Sequence, residues 1–96
     1  MKPIIKVIIP AYNEQDSIAN VVNDIPKIVD EIIVISNNST DNTEINAKNA
    51  GATVLKENQK GYGFACLKGM DYVSKQKNKP EIIVFLDGDY SDYPEQ

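Results

Sequence analysis

The sequence predicts an open, parallel α/β sheet with the winding βαβαβαβ, and three observations carry that prediction. Apolar residues arrive in short β-branched runs at Ile4 to Ile9, Ile32 to Ile35, Thr53 to Leu55 and Ile82 to Leu86. Near-continuous runs of this kind suit strands covered on both faces, as in a parallel sheet packed between helices. The segments between the runs carry helical spacing, and strands alternating with helices imply right-handed crossovers between parallel strands. Polar and turn-forming residues collect just after the strands, in Pro10 to Glu14, Ser36 to Asp41 and Asp87 to Asp92. If the first three strands wind outward and the fourth returns beside the first, the order is 3-2-1-4. Ligands of such sheets bind beyond the carboxyl ends of the strands, where the winding reverses.

Each helix has its own signals. Ile18, Val21, Val22 and Ile25 fall at i, i+3, i+4 and i+7, with Asp16 or Ser17 as the N-cap and Pro26 as the stop. Asp41 followed by Glu44 is a variant capping box, and the helix it opens should end at Gly51. Cys66, Gly69, Met70 and Val73 predict the buried stripe of a third helix that opens near Gly61 to Gly63. Asn78-Lys79-Pro80 then breaks that helix before the last strand.

Composition narrows the chemistry. With 42% hydrophobic and 25% charged residues, the 96-residue chain belongs with globular single domains. One cysteine, Cys66, excludes an intrachain disulfide, and its place on an apolar stripe with no histidine partner marks it as a small core residue. The lack of histidine excludes His-based triads and His-Cys zinc sites. No apolar stretch is long enough to span a membrane, so a cytoplasmic location is expected. Net charge is −4 and every basic residue is a lysine, which gives no electrostatic footprint for nucleic acid. An anionic ligand would therefore bind through a metal ion or backbone amides.

Asp87-Gly88-Asp89 is the sharpest motif. Two carboxylates one residue apart repel unless a cation or proton lies between them. An all-oxygen donor set selects Mg²⁺ or Mn²⁺, which commonly bridge carboxylates to phosphates. An isolated Asp-x-Asp is more often an acidic turn. An EF-hand loop is excluded, because Asp92 stands where glycine is required and the twelfth position falls beyond Gln96. Gly61-Tyr62-Gly63 lets backbone amides approach an anion at a helix start, with Lys60 adjacent, although alone it reads as a turn. Asn37 to Asp41 is turn and cap chemistry first, and Glu14 suits either a ribose hydroxyl or a helix N-terminus.

Taken together, Val7 to Glu14, Ile33 to Asp41, Gly61 to Ala65 and Phe85 to Asp89 resemble the family 2 glycosyltransferases of the GT-A fold. The tail from Asp89 to Glu95 is similar to the dolichyl-phosphate mannose synthases and related polyprenyl-phosphate hexosyltransferases. The resemblance implies a Rossmann-like nucleotide-binding half, over residues 1–96, that takes a UDP- or GDP-linked sugar. Pro10, Ala11, Tyr12 and Glu14 would line the nucleoside pocket, and Ser36 would approach the base. Asn38, Lys60, Gly61 and Gly88 would complete the donor site, while Asp87 would face the ribose or the metal and Asp89 would hold the metal against the diphosphate. The sequence departs from the family at Ser36, where Asp is usual, and at Asn37 and Asn38, where Asp and Gly are common.

By the same resemblance the acceptor half and the general base lie beyond Gln96. The chain is therefore expected to be the donor half of an inverting enzyme, inactive alone, with polyprenyl phosphate or a glycan as acceptor. In the full-length protein it would work in the cytoplasm or at the cytoplasmic face of a membrane. Self-association through the uncharged edge strand 82–86 is also expected. The rival expectation is a non-catalytic nucleotide-sugar binding module. A sugar nucleotidyltransferase is disfavoured, since Pro10 to Glu14 lacks the glycine-rich loop it needs.

Overall fold

Seven elements alternate along the chain in the computed structural model, which describes residues 2–77 and 79–86. They are β1 (Ile5–Ala11), α1 (Ile18–Asp24), β2 (Glu31–Asn37), α2 (Thr43–Asn49), β3 (Thr53–Glu57), α3 (Tyr62–Ser74) and β4 (Ile82–Phe85). All strand pairs are parallel, in the order β3-β2-β1-β4. The predicted winding and order are those observed. The strands β1, β2 and β3 each run about two residues further toward the loops than their apolar runs suggested, because ladder pairing continues to Ala11, Asn37 and Glu57.

Side-chain alternation sorts the core into two layers. Val7, Ile9, Ala11 and Val34 face α1 and α2, where they meet Ile18, Val21, Val22 and Ala47. Ile8, Ile33 and Ile35 face α3 and pack on Ala65 and Val73. The central strands are thus covered on both faces, as their sequences predict. β4 departs from that pattern. Ile82, Val84 and Phe85 are exposed at the edge, since β4 pairs with β1 alone among the described strands.

The stripe predicted for α3 needs correction. Its buried residues are Ala65, Gly69 and Val73, whereas Met70 is exposed and Cys66 only half-buried. A row of small residues at i, i+4 and i+8 brings the helix axis close to the sheet. A Cβ added to Gly69 would stand 2.7 Å from Ile8 Cγ2, so the approach requires glycine. That closeness keeps the contact stripe narrow and leaves larger neighbours outside.

The start of α2 also differs by one position. Asn42 is the N-cap residue, but the Asp41 side chain still performs the capping, with Oδ1 accepting from the Thr43 N–H at 2.9 Å and from the Thr43 hydroxyl. Glu44 reaches across to Lys56 of β3 at 3.6 Å. The predicted end at Gly51 holds. Gly51 adopts φ +106°, with Gly51 N–H bonded to Lys48 O and Ala52 N–H to Ala47 O, the paired bonds of a Schellman ending.

At the amino ends of the strands, Glu31 ties the layers together. Its carboxylate accepts from Lys6 Nζ (2.7 Å), Tyr72 Oη (2.7 Å), Thr53 Oγ1 (2.9 Å) and Gln76 Nε2 (3.1 Å). Burial raises the carboxyl pKa, but these four donors outweigh it and bring the pKa down to about 2. This network lies at the opposite end of the sheet from the loops that carry the predicted site.

Candidate functional site

The carboxyl ends of β1 and β2 are joined by a lattice of short-range bonds between their loops. Asn13 takes φ +50°, a conformation asparagine tolerates better than most residues, and its side chain accepts from Thr40 N–H at 2.8 Å. In return, Asn13 N–H donates to Ser39 Oγ at 3.1 Å, and Glu14 N–H to Thr43 Oγ1 at 2.8 Å. Gln15 N–H donates to Asp41 Oδ2, while Gln15 Oε1 accepts from Asn42 N–H. Burial acts to raise the Asp41 carboxyl pKa, but the bonds from Thr43 and Gln15 prevail and hold it below its ordinary value. The turn residues after β1 and β2 therefore hold each other.

A second set of bonds fixes the loop between β3 and α3. Asn37 Nδ2 donates to Glu57 O at 3.2 Å and Gln59 O at 2.7 Å, and Asn37 Oδ1 accepts from Gly61 N–H at 2.9 Å. Asn38, at φ +64°, donates from Nδ2 to Asn58 O at 2.9 Å. Gly61 itself sits at φ +128° and ψ 143°, a region open essentially only to glycine. From there its carbonyl accepts the Ala65 N–H and opens α3.

Between these loops lies a cavity of about 390 Å³ lined by Tyr12, Asn37, Lys60 and Gly61. A second recess of about 310 Å³ shares Lys60 and Gly61 and continues over Gly63, Phe64 and Leu67. The first cavity offers an aromatic ring, an ammonium group and a glycine backbone. That combination suits a planar, anionic ligand such as a nucleotide, with the ring for stacking and the amine for phosphate. It stands at the carboxyl edge of β1 and β2, on the β2 side of β1, whereas the winding reversal that the sequence marks lies between β1 and β4.

The sequence-predicted residues divide into groups. Tyr12 (55% exposed), Lys60 and Gly61 line the cavity. Pro10 and Ala11 are buried in the last turn of β1, directly before Tyr12. Glu14 is half-buried, its backbone fixed by Thr43 and its carboxylate within 3.5 Å of Ser17 Oγ. Ser36 is 1% exposed inside β2, opposite Ala11, and its Oγ has no hydrogen-bond partner among the described residues. By alternation it shares the Val34 face, under the interlocked loops rather than in the cavity wall. Asn38 supports the loop 58–61 from beneath. Asp87, Gly88 and Asp89 lie outside the described residues, and among the described residues no cluster of three acidic, histidine or cysteine groups is suited to a metal. The oxygen-only donor set of Asp87 and Asp89 matches Mg²⁺ or Mn²⁺ in its chemistry.

Asn37 is the cavity residue that the sequence did not mark individually. It stood out only as a member of the turn cluster after β2 and as a departure from the family pattern, because its role depends on a loop twenty residues away.

Comparison with known proteins places this geometry in a family. Protein RfbJ of Shigella flexneri is 41% identical over 87 residues, covering 88% of this chain and 64% of its own. Glucosyl-3-phosphoglycerate synthase of Mycolicibacterium paratuberculosis is 35% identical over 97 residues, covering 88% of this chain but 28% of the synthase. The Mycobacterium tuberculosis synthase, solved in complex with Mn²⁺, UDP-glucose and phosphoglyceric acid, superposes with a TM-score of 0.78 at 32% identity. It covers 91% of this chain and 33% of that structure. This chain thus spans between about a quarter and two thirds of the length of these relatives. The description Glycosyl transferase family 2 matches residues 6–96. The four-stranded parallel sheet is that of the GT-A fold, and the chain belongs to glycosyl transferase family 2.

Proposed function

We propose that residues 1–96 form the donor-binding part of an inverting glycosyltransferase that takes a nucleoside-diphosphate sugar with Mg²⁺ or Mn²⁺. The observation that carries this is the cavity of Tyr12, Asn37, Lys60 and Gly61 at the carboxyl edge of the sheet. Tyr12 would cover the base, and Lys60 with the amides at the start of α3 would face the diphosphate. Asp87 and Asp89 would hold the divalent ion, which supplies charge neutralisation on the leaving diphosphate. In the sequence they follow Leu86, whose N–H is bonded to Ile8 O of β1. The M. tuberculosis relative, with its Mn²⁺ and UDP-glucose, supports this choice of donor and ion.

A base that activates the acceptor would come from outside these residues, so the chain alone is proposed to transfer no sugar. The polyprenyl-phosphate acceptor rests on the tail from Asp89 to Glu95 and is not reflected in the names of the relatives above. A cytoplasmic site of action is proposed on composition alone. The test is calorimetric titration of UDP in Mn²⁺, with and without EDTA, on the chain and on Asp89→Asn. Metal-dependent binding that the variant loses is expected. Binding that survives EDTA unchanged would overturn the metal assignment, and no binding under any condition would overturn the donor site.

A further inference from the structure

We propose that the Asn37–Asn38 pair is a positioning device that holds the loop 58–61 in place, so that Lys60 and Gly61 stand opposite Tyr12 before a ligand arrives. The proposal rests on the nucleotide reading of the cavity, and extends it to a pair of residues that replaces the Asp and Gly common at these positions. The geometry is specific to carboxamides. Asn37 Nδ2 spends both of its protons, on Glu57 O and Gln59 O, and Asn38 Nδ2 donates to the intervening Asn58 O. Three successive carbonyls at the end of β3 are thus met by side-chain donors from the end of β2. A carboxylate at position 37 has no donor for them, and a glycine at 38 has no side chain at all.

The same carboxamide controls the entry to α3. Asn37 Oδ1 accepts the Gly61 N–H, and Gly61 is the residue whose positive φ starts the helix. Asn37 is 9% exposed, so water competes little for its bonds, and removing its side chain takes these partners from the carbonyls of Glu57 and Gln59 and from the Gly61 N–H. Loop 58–61 would otherwise have little to fix it, because Gln59, Lys60 and Gly61 are exposed. The bond from Gln59 N–H to Glu57 Oε2 lies within the loop and does not depend on the pair. Ordering the loop in advance removes an entropy cost from binding, so affinity should depend on the pair even where it does not touch the ligand.

The test compares the unmodified chain with Asn37→Ala, Asn37→Asp and Asn38→Gly, by amide hydrogen exchange and by titration with UDP and Mg²⁺. For Asn37→Ala the Gly61 amide should exchange at least about tenfold faster, while amides in the centre of β1, such as Ile8, keep their rates. Asn37→Asp keeps an acceptor for Gly61 and should fall between Asn37→Ala and the unmodified chain at that amide. UDP affinity should fall by roughly tenfold in Asn37→Ala and by less in Asn38→Gly, which loses one donor of three. Unchanged Gly61 exchange in Asn37→Ala, or unchanged UDP affinity despite faster exchange, overturns the proposal. Uniform acceleration of Gly61 and Ile8 also overturns it, since that reports global stability alone. If the unmodified chain binds no UDP, the nucleotide reading fails by itself. Gly61 exchange then still decides whether the pair holds the loop.

Discussion

Gly69→Ala probes the close approach of α3 to Ile8 of β1. In isolation the change favours a helix by about 1 kcal/mol. Here the new Cβ would lie 2.7 Å from Ile8 Cγ2, 3.0 Å from Cδ1 and 3.3 Å from Cγ1. Cγ2 is fixed to the branched Cβ of a fully buried residue, held between Ile33 on one side and Phe85 on the other. It cannot swing away as the end of a flexible chain would, so α3 must lift. Overpacking of this kind costs about 1–3 kcal/mol, which leaves a net loss of about 1 kcal/mol after the helical gain. For a chain of this size that is a fall in Tm of about 4–8 °C. Thermal unfolding followed by circular dichroism measures it. Pairing with Ile8→Ala, which removes all three contacts, should make the Gly69→Ala loss vanish or reverse. Ile8→Val removes only Cδ1 and should leave most of it. A Tm that rises in the single variant by the full helical gain would refute the close-approach account.

Two further outcomes are expected. The Glu31 carboxyl has a folded pKa of about 2 against an ordinary 4.5, so it stabilises the fold fully above pH 4.5 and loses that contribution as pH falls toward 2. A loss of order 3 kcal/mol is expected across that window in urea titrations, and Glu31→Gln should flatten it; an equal acid loss in the variant would contradict the assignment. At the sheet edge, exposed Ile82, Val84 and Phe85 should promote concentration-dependent association in light scattering, and Val84→Lys should suppress it. A stable monomer at high concentration would refute that expectation.

Much of the sheet was legible because β-branched runs and turn residues are local signals. Ile32 to Ile35 announces a covered strand whatever surrounds it, and Gly51 marks the end of α2 by a conformation few residues adopt. The order 3-2-1-4 rested on one further assumption, that the first three strands wind outward and the fourth returns beside the first, and the sheet has that order. The buried face of α3 was less legible, since Cys66-Gly69-Met70-Val73 and Ala65-Gly69-Val73 share two members. Which face won depended on how near Gly69 lets the helix approach Ile8, a tertiary distance. Lys60 and Gly61 were found by their chemistry, but the role of Asn37 was not, because its partners at Glu57 and Gln59 are adjacent only after β3 pairs with β2. Ser36 shows the reverse case. Its position after an apolar run suggested a ligand-facing group, yet the ladder extends through it and turns the side chain inward.

The central claim is that a nucleoside diphosphate binds at the carboxyl edge of β1 and β2, against the start of α3. Chemical-shift mapping by NMR with UDP and diamagnetic Mg²⁺ tests it most directly. The amides of Tyr12, Asn37, Lys60 and Gly61 should move together and saturate with one affinity. Those of Asn23 and Asn49, in the groove of about 330 Å³ between α1 and α2, should stay in place. Shifts that gather in that groove, or along β4, while the four cavity residues remain still would contradict the account.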